Sequence, residues 1–266
     1  MHAVPMLRSF FSGSALAAAV SALFVTVAAP AQSPAADTAR APRIHIAGDS
    51  TAADKPTTPP NPERGWGQAL PGFLREPATV VNHAQNGRST RSFIAEGRWQ
   101  TLVDALQPGD WVIIQFGHND EKSQDPKRYT APRGEYTENL RRFVADVRGR
   151  DAHPILCTPV ARRKWDDAGT ALIETHGEYP DAVRDLARAE GVPLVDLLVL
   201  TRSLEEAHGV EGSKRLHLWI PAGVYERKPD GWQDDTHYSA YGAERVAALV
   251  VQEILRQQLP LAEWVK

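Results

Sequence analysis

The chain has 266 residues, 42% of them hydrophobic, with 30 lysines and arginines against 33 aspartates and glutamates, a net charge of −3. That length suits one well-buried domain and is short for two, and the weakly acidic balance offers no basic surface for nucleic acid or an anionic membrane. Cys157 is the only cysteine, so no intrachain disulfide can form; in Ile155-Leu156-Cys157-Thr158 it reads as a small buried hydrophobe.

Residues 1–31 carry Arg8, an apolar run from Ala15 to Ala29, and the small-x-small stretch Ala29-Pro30-Ala31. This is the pattern of a signal peptide cleaved after Ala31. The run holds Ser21 and Thr26 and is short for a bilayer span of ~20 apolar residues. The expected address is therefore outside the cytoplasm, periplasmic or extracellular, with no membrane attachment after cleavage. Residues 32–42, with four Ala and two Pro, read as a flexible leader, which leaves 43–266 as the folded domain.

Strand and helix signals then alternate. Ile44 and Ile46 mark a first strand, which Gly48-Asp49-Ser50 breaks. Gly65–Leu74 predicts a short helix, and Thr79–Val81 a strand closing at Asn86-Gly87. Ser92–Leu106 has helical apolar spacing, and Trp111–Phe116 is an apolar strand ending at Gly117. Asp125–Gly134 reads as a polar loop and Tyr136–Val147 as an amphipathic helix. Ile155–Val160, Tyr179–Ala189 and Val192–Leu197 continue as strand, helix and strand. The last helix is expected from Ser239 to about Gln258, and Leu204–Gln233 is the least regular stretch. Apolar strands alternating with helices imply a parallel sheet covered on both faces.

Four polar stretches fall at strand ends or before a helix: Gly48-Asp49-Ser50-Thr51, Asn86-Gly87-Arg88-Ser89, Gly117-His118-Asn119-Asp120 and Asp234-Asp235-Thr236-His237. The first three share the C-terminal edge of a parallel sheet, where ligands bind in open α/β folds. Asp234 and His237 can project from one turn, so that the carboxylate orients the imidazole and the free nitrogen takes a proton from Ser50. Backbone N–H groups of Ser50 and Gly87 and the Asn119 amide are candidate donors to a developing oxyanion. Each stretch alone also reads as ordinary turn or cap chemistry.

Taken together, Ser50, Gly87, Asn119 and His237, with Asp234 in an Asp-x-x-His pair, resemble the four blocks of the SGNH, or GDSL, hydrolases. Gly-Asp-Ser-Thr in place of Gly-Asp-Ser-Leu is similar to the rhamnogalacturonan acetylesterase branch. The same holds for Asn82–Arg91, Gln115–Asp120, Tyr179–Val183, Val195–Leu197 and Asp234–Ser239, so the resemblance spans roughly Arg43 to Gln258. It implies a flavodoxin-like three-layer α/β/α sandwich with a parallel five-stranded sheet. It also implies a catalytic Ser50–His237–Asp234 set, an oxyanion hole of Ser50, Gly87 and Asn119, and no metal or cofactor. The implied activity is removal of acetyl groups from plant cell-wall pectin through an acetyl-serine intermediate. The fungal members carry disulfides, which this chain cannot form.

Other substrates stay open: another acetylated glycan such as xylan, or a lipid or thioester. The polar and aromatic loops argue against an acyl tunnel. Arg88 and Arg91 can fork onto a uronate carboxylate or simply form salt bridges. Trp219 and Trp232 can stack on sugar faces or cover a core edge.

Overall fold

The computed structural model describes residues 40–58 and 60–266. The expected signal peptide and most of the leader lie outside the described residues. The leader's last residues lie against the domain, where the Arg40 guanidinium donates to Asp110 Oδ1 at 2.5 Å.

A parallel sheet is built from β1 (Arg43–Gly48), β3 (Thr79–Asn82), β4 (Trp111–Gln115), β5 (His153–Cys157) and β6 (Leu194–Val195), in the order β3-β1-β4-β5-β6. The chain adds its second strand on one side of β1 and all later ones on the other. The crevice between β1's two neighbours is thus the topological switch point where such sheets hold ligands.

Strand alternation sends side chains into two cores. Ile44, Ile46, Ile113 and Ile155 pack with Trp66 of α1 (Trp66–Ala69) and with Val246, Val250 and Ile254 of α7 (Ala240–Arg256). Ala47, Val112, Ile114 and Leu156 meet α3 (Arg98–Ala105), α4 (Thr137–Arg148) and α5 (Tyr179–Glu190) on the other face. The three-layer α/β/α expectation holds, and all these strand residues are fully buried.

The differences from the sequence reading are local and have causes. The helix expected over Ser92–Leu106 is two helices, α2 (Thr90–Ala95) and α3, because Gly97 adopts φ +71° between them. Ser89 starts α2 with a capping box to Ser92. The strand expected over Val192–Leu197 pairs only at Leu194–Val195, since Asp196 caps a helix, α6 (Leu197–Gly212).

That helix occupies part of the stretch read as irregular. The remainder contributes β7 (His217–Ile220) and the start of β8 (Trp232–Ser239) to a second, antiparallel sheet in the order β2-β8-β7, completed by β2 (Glu63–Arg64). Asp234–His237, expected just before a helix, therefore lies on a strand. His217 pairs with Tyr238 but the next residue, Leu218, pairs with Asp234. Asp235, Thr236 and His237 bulge out of the ladder between those pairs, and such bulges re-aim side chains. Ser239 then caps α7 by accepting from the Gly242 N–H at 3.1 Å.

Candidate active site

Ser50 follows β1 in a tight turn that Asp49 organises from below. Asp49 is fully buried, and its Oδ1 accepts from the Thr51 N–H at 2.9 Å and the Thr51 hydroxyl at 2.8 Å. Burial pushes the Asp49 carboxyl up, but the His118 ring and the two Thr51 donors outweigh it and hold the group below its ordinary value. Gln115, at the end of β4, accepts from Trp66 Nε1 at 3.0 Å, and its Oε1 lies 2.9 Å from the Thr51 hydroxyl oxygen. The serine turn is thus tied to the neighbouring strand and to α1.

The bulge on β8 delivers the other two members. His237 Nε2 lies 2.9 Å from Ser50 Oγ, and His237 Nδ1 lies 2.8 Å from Asp234 Oδ2. Asp234 Oδ1 accepts from the Thr236 and His237 N–H groups, each at 2.8 Å, so the carboxylate also shapes the bulge. Burial alone would raise the Asp234 carboxyl, but its bonds to the His237 ring and backbone hold it down at about 2. Burial likewise opposes charge on His237, and Asp234 overcomes it, raising the imidazole above its ordinary value of 6.5. A hydroxyl donating to a ring whose other nitrogen is held by a carboxylate is the arrangement that activates a serine as nucleophile.

The remaining two stretches meet beside the serine turn. The Gln85 N–H donates to the Gly48 carbonyl at 3.0 Å, which lays the loop after β3 along the end of β1. Gly87 follows with φ +77°, a conformation that favours glycine. Asn119 Nδ2 donates to the Arg88 carbonyl at 3.1 Å, and Asn119 Oδ1 accepts from Lys122 Nζ at 3.0 Å. One amide hydrogen of Asn119 is spent on fixing the Gly87 turn, which leaves the second for a ligand.

This geometry is compatible with acyl transfer from an ester, and the model of the GDSL-like lipase/acylhydrolase family matches residues 46–245. The chain belongs to that family. As an ester hydrolase of this family, it is 42% identical to the Bacillus subtilis rhamnogalacturonan acetylesterase RhgT, over 83% of this chain and 93% of the relative. It is 29% identical to a rhamnogalacturonan acetylesterase of Emericella nidulans, over 82% of this chain and 86% of that one. Among solved structures, Bacillus subtilis protein YxiM superposes with a TM-score of 0.70 at 26% identity, over 83% of this chain and 58% of that chain. A catalytic mutant of an acetylxylan esterase from Geobacillus stearothermophilus shares the fold, with a TM-score of 0.56 at 20% identity over 80% of this chain and 94% of that one.

The other side chains singled out from the sequence of this ester hydrolase are placed as follows. Arg88 pairs with Glu96 at 3.0 Å and donates to the Asn86 carbonyl. It lines a cleft of about 270 Å³ with Gly87, Lys127 and Arg128. The Arg91 fork is taken by Glu135, and its third nitrogen by the Pro126 carbonyl. The Arg163 guanidinium and the Lys214 ammonium each lie 4.7 Å from the centre of the Trp219 ring, whose N–H donates to Asp235. Trp232 stacks on Tyr225, with ring centroids 6.1 Å apart. Among the described residues, no group of three or more His, Cys, Asp or Glu side chains could hold a metal ion.

Two groups near the site carried no sequence signal. Arg163, in an apparently plain Arg-Arg-Lys run, is buried and staples the bulge: its N–H donates to the Asp235 carbonyl at 2.8 Å and its Nη1 to Asp235 Oδ1 at 2.9 Å. His217 Nε2 meets buried Glu205 at 2.5 Å, and its Nδ1 lies 3.3 Å from the His237 carbonyl. Only the fold brings these residues to the bulge.

Proposed function

We propose that this chain is an exported serine esterase that removes O-acetyl groups from rhamnogalacturonan. The observation that carries the mechanism is the continuous hydrogen-bonded series Ser50 Oγ, His237, Asp234. Ser50 attacks the acetyl carbonyl while His237 Nε2 takes the hydroxyl proton, and Asp234 stabilises the imidazolium that forms. The N–H groups of Ser50 and Gly87 and the Asn119 amide hold the tetrahedral oxyanion. His237 then protonates the leaving sugar oxygen, and water activated by the same ring clears the acetyl-serine.

The substrate assignment is supported by the relative at 42% identity, which covers nearly its whole length. Export is supported by the apolar run and the Ala29-Pro30-Ala31 site. The test is acetate release by the chain starting at Gln32 from acetylated rhamnogalacturonan, acetylated homogalacturonan and acetylated xylan, with Ser50→Ala as control. Serine-dependent release that favours rhamnogalacturonan is expected. Release from xylan alone would overturn the substrate, and release by Ser50→Ala near the wild-type rate would remove Ser50 from the mechanism.

A further inference from the structure

Lys55 lies in the loop after the nucleophile turn, and its side chain is only 1% exposed. Its backbone is gripped from both sides by one amide: the Lys55 N–H donates to Gln68 Oε1 at 3.0 Å, and Gln68 Nε2 donates to the Lys55 carbonyl at 3.1 Å. The ammonium is thereby fixed in place, and it donates to Asn86 Oδ1 at 2.5 Å and to Glu63 Oε1 at 2.6 Å. An ammonium removed from water is costly unless it is paired and hydrogen-bonded. These partners sit on two different parts of the site. Asn86 directly precedes Gly87, whereas Glu63 lies on β2, where it pairs with Ser239 of the strand that carries His237.

We propose that Lys55 is a positioning residue whose buried ammonium clamps the Asn86–Gly87 turn to the sheet bearing His237, so that oxyanion donor and base keep a fixed separation. The inference rests on the reading that Ser50, Gly87 and His237 carry out ester hydrolysis. The nucleophile and the Gly87 turn belong to the main sheet, and the base to the small one. Apart from the Ser50–His237 bond, the Lys55 ammonium is a direct polar link between these parts that reaches both the oxyanion turn and the base's sheet.

The charges involved make the idea separable from simple stability. The groups facing the His237 ring are Asp234 from its own strand, Ser50, Glu63 from β2 and Lys55; His217 meets only the His237 carbonyl, and Glu205 bonds His217. Glu63 favours the protonated ring and Lys55 disfavours it. Neutralising one or the other must therefore move the His237 titration in opposite directions.

The experiment uses the chain from Gln32 with Lys55→Met, Glu63→Gln, the double variant, and Ser50→Ala as the reference for serine dependence. Lys55→Met is expected to lower kcat for a small acetyl ester by about 10- to 100-fold with KM within about threefold, because the Gly87 donor acts on the transition state. The His237 ring, followed by NMR, should titrate about half a pH unit higher in Lys55→Met and lower in Glu63→Gln, as expected for a charge near a partly buried group. The double variant should return towards the wild-type titration while staying slow. If Lys55→Met does not fold, Lys55→Gln keeps a donor without the charge and carries the same expectation. Wild-type kcat in the lysine variant, or titrations that move the same way in both single variants, would overturn the clamp. Absence of Ser50-dependent hydrolysis in the unmodified chain would overturn the functional reading beneath it, and is seen without any Lys55 variant.

Discussion

Replacing Asp234 by Asn tests how His237 is oriented. The Asn side-chain oxygen can still accept from the Thr236 and His237 N–H groups, now bonded to Asp234 Oδ1 at 2.8 Å, so the bulge keeps its shape. The second position changes from acceptor to amide donor, 2.8 Å from His237 Nδ1. Two donors cannot face each other there, so the ring shifts its proton to Nε2, where it opposes the Ser50 hydroxyl and cannot accept from it. The pair is neither surface nor deep core, with side chains 29% and 19% exposed. Losing a charge-assisted bond in that setting costs about 1.5–3 kcal/mol. Adding the wrong tautomer brings the total to about 4–5.5 kcal/mol, a fall in kcat of about 10³–10⁴. The assay is initial rates of acetate release from pH 5 to 9 beside a thermal melt. The wild-type acid limb of kcat/KM should lie above 6.5, since Asp234 raises the His237 imidazole; in the Asn variant that limb should move down. A folded variant within tenfold of wild type would refute the orientation argument.

Asp235→Asn should be mild, within about threefold in kcat and ~1 kcal/mol in stability, because its amide oxygen can still accept from Arg163 and Trp219; a loss as large as that of Asp234→Asn in the same assay would mean the wrong carboxylate orients the base. Gly87→Ala adds a Cβ with no neighbour closer than Arg128 Nη1 at 3.9 Å, so the strain lies in the backbone at φ +77°, about 1–2 kcal/mol; if the turn relaxes, its N–H leaves the oxyanion, and kcat should fall by up to ~10²–10³ with KM little changed. Unaltered kcat would remove Gly87 from the hole. Burial pushes the Asp120 carboxyl up to about 7 despite donors from Thr90 and Thr130. The folded chain then keeps a proton that the unfolded chain releases near 3.8, so this contribution is fully present at low pH and fades as pH rises to 7. Asp120→Asn should flatten that part of the melting profile between pH 4 and 8; an unchanged pH dependence would contradict it.

The parts of the fold legible in the sequence are those whose residues do one job. Ile44, Ile46 and Trp111–Ile114 are apolar because both faces of their strands are buried, and the stripes of α4, α5 and α7 follow from one buried side each. The small sheet was hidden because β8 reads Trp-Gln-Asp-Asp-Thr-His-Tyr-Ser, a run shaped by the bulge rather than by a core. Helix α6 was partly hidden because its buried face includes Thr201 and Glu205, polar residues that blur the apolar period. Ser50, His237 and Asp234 were legible through spacing and chemistry, and the structure brings them within hydrogen-bond reach. Lys55 and Arg163 were not legible, because nothing local separates a buried cation from a solvated one.

The bond between Ser50 and His237 spans 187 residues. Contacts of such long range form late, since much of the intervening chain must be ordered before its ends can meet. During synthesis, β1, β3, β4 and β5 are all complete by Cys157, well before the bulge residues have been made. On the mechanism proposed above, a nascent chain therefore holds Ser50 and the loops of Gly87 and Asn119 before it holds His237, and Ser50 gains its hydrogen-bond partner only when β8 is in place.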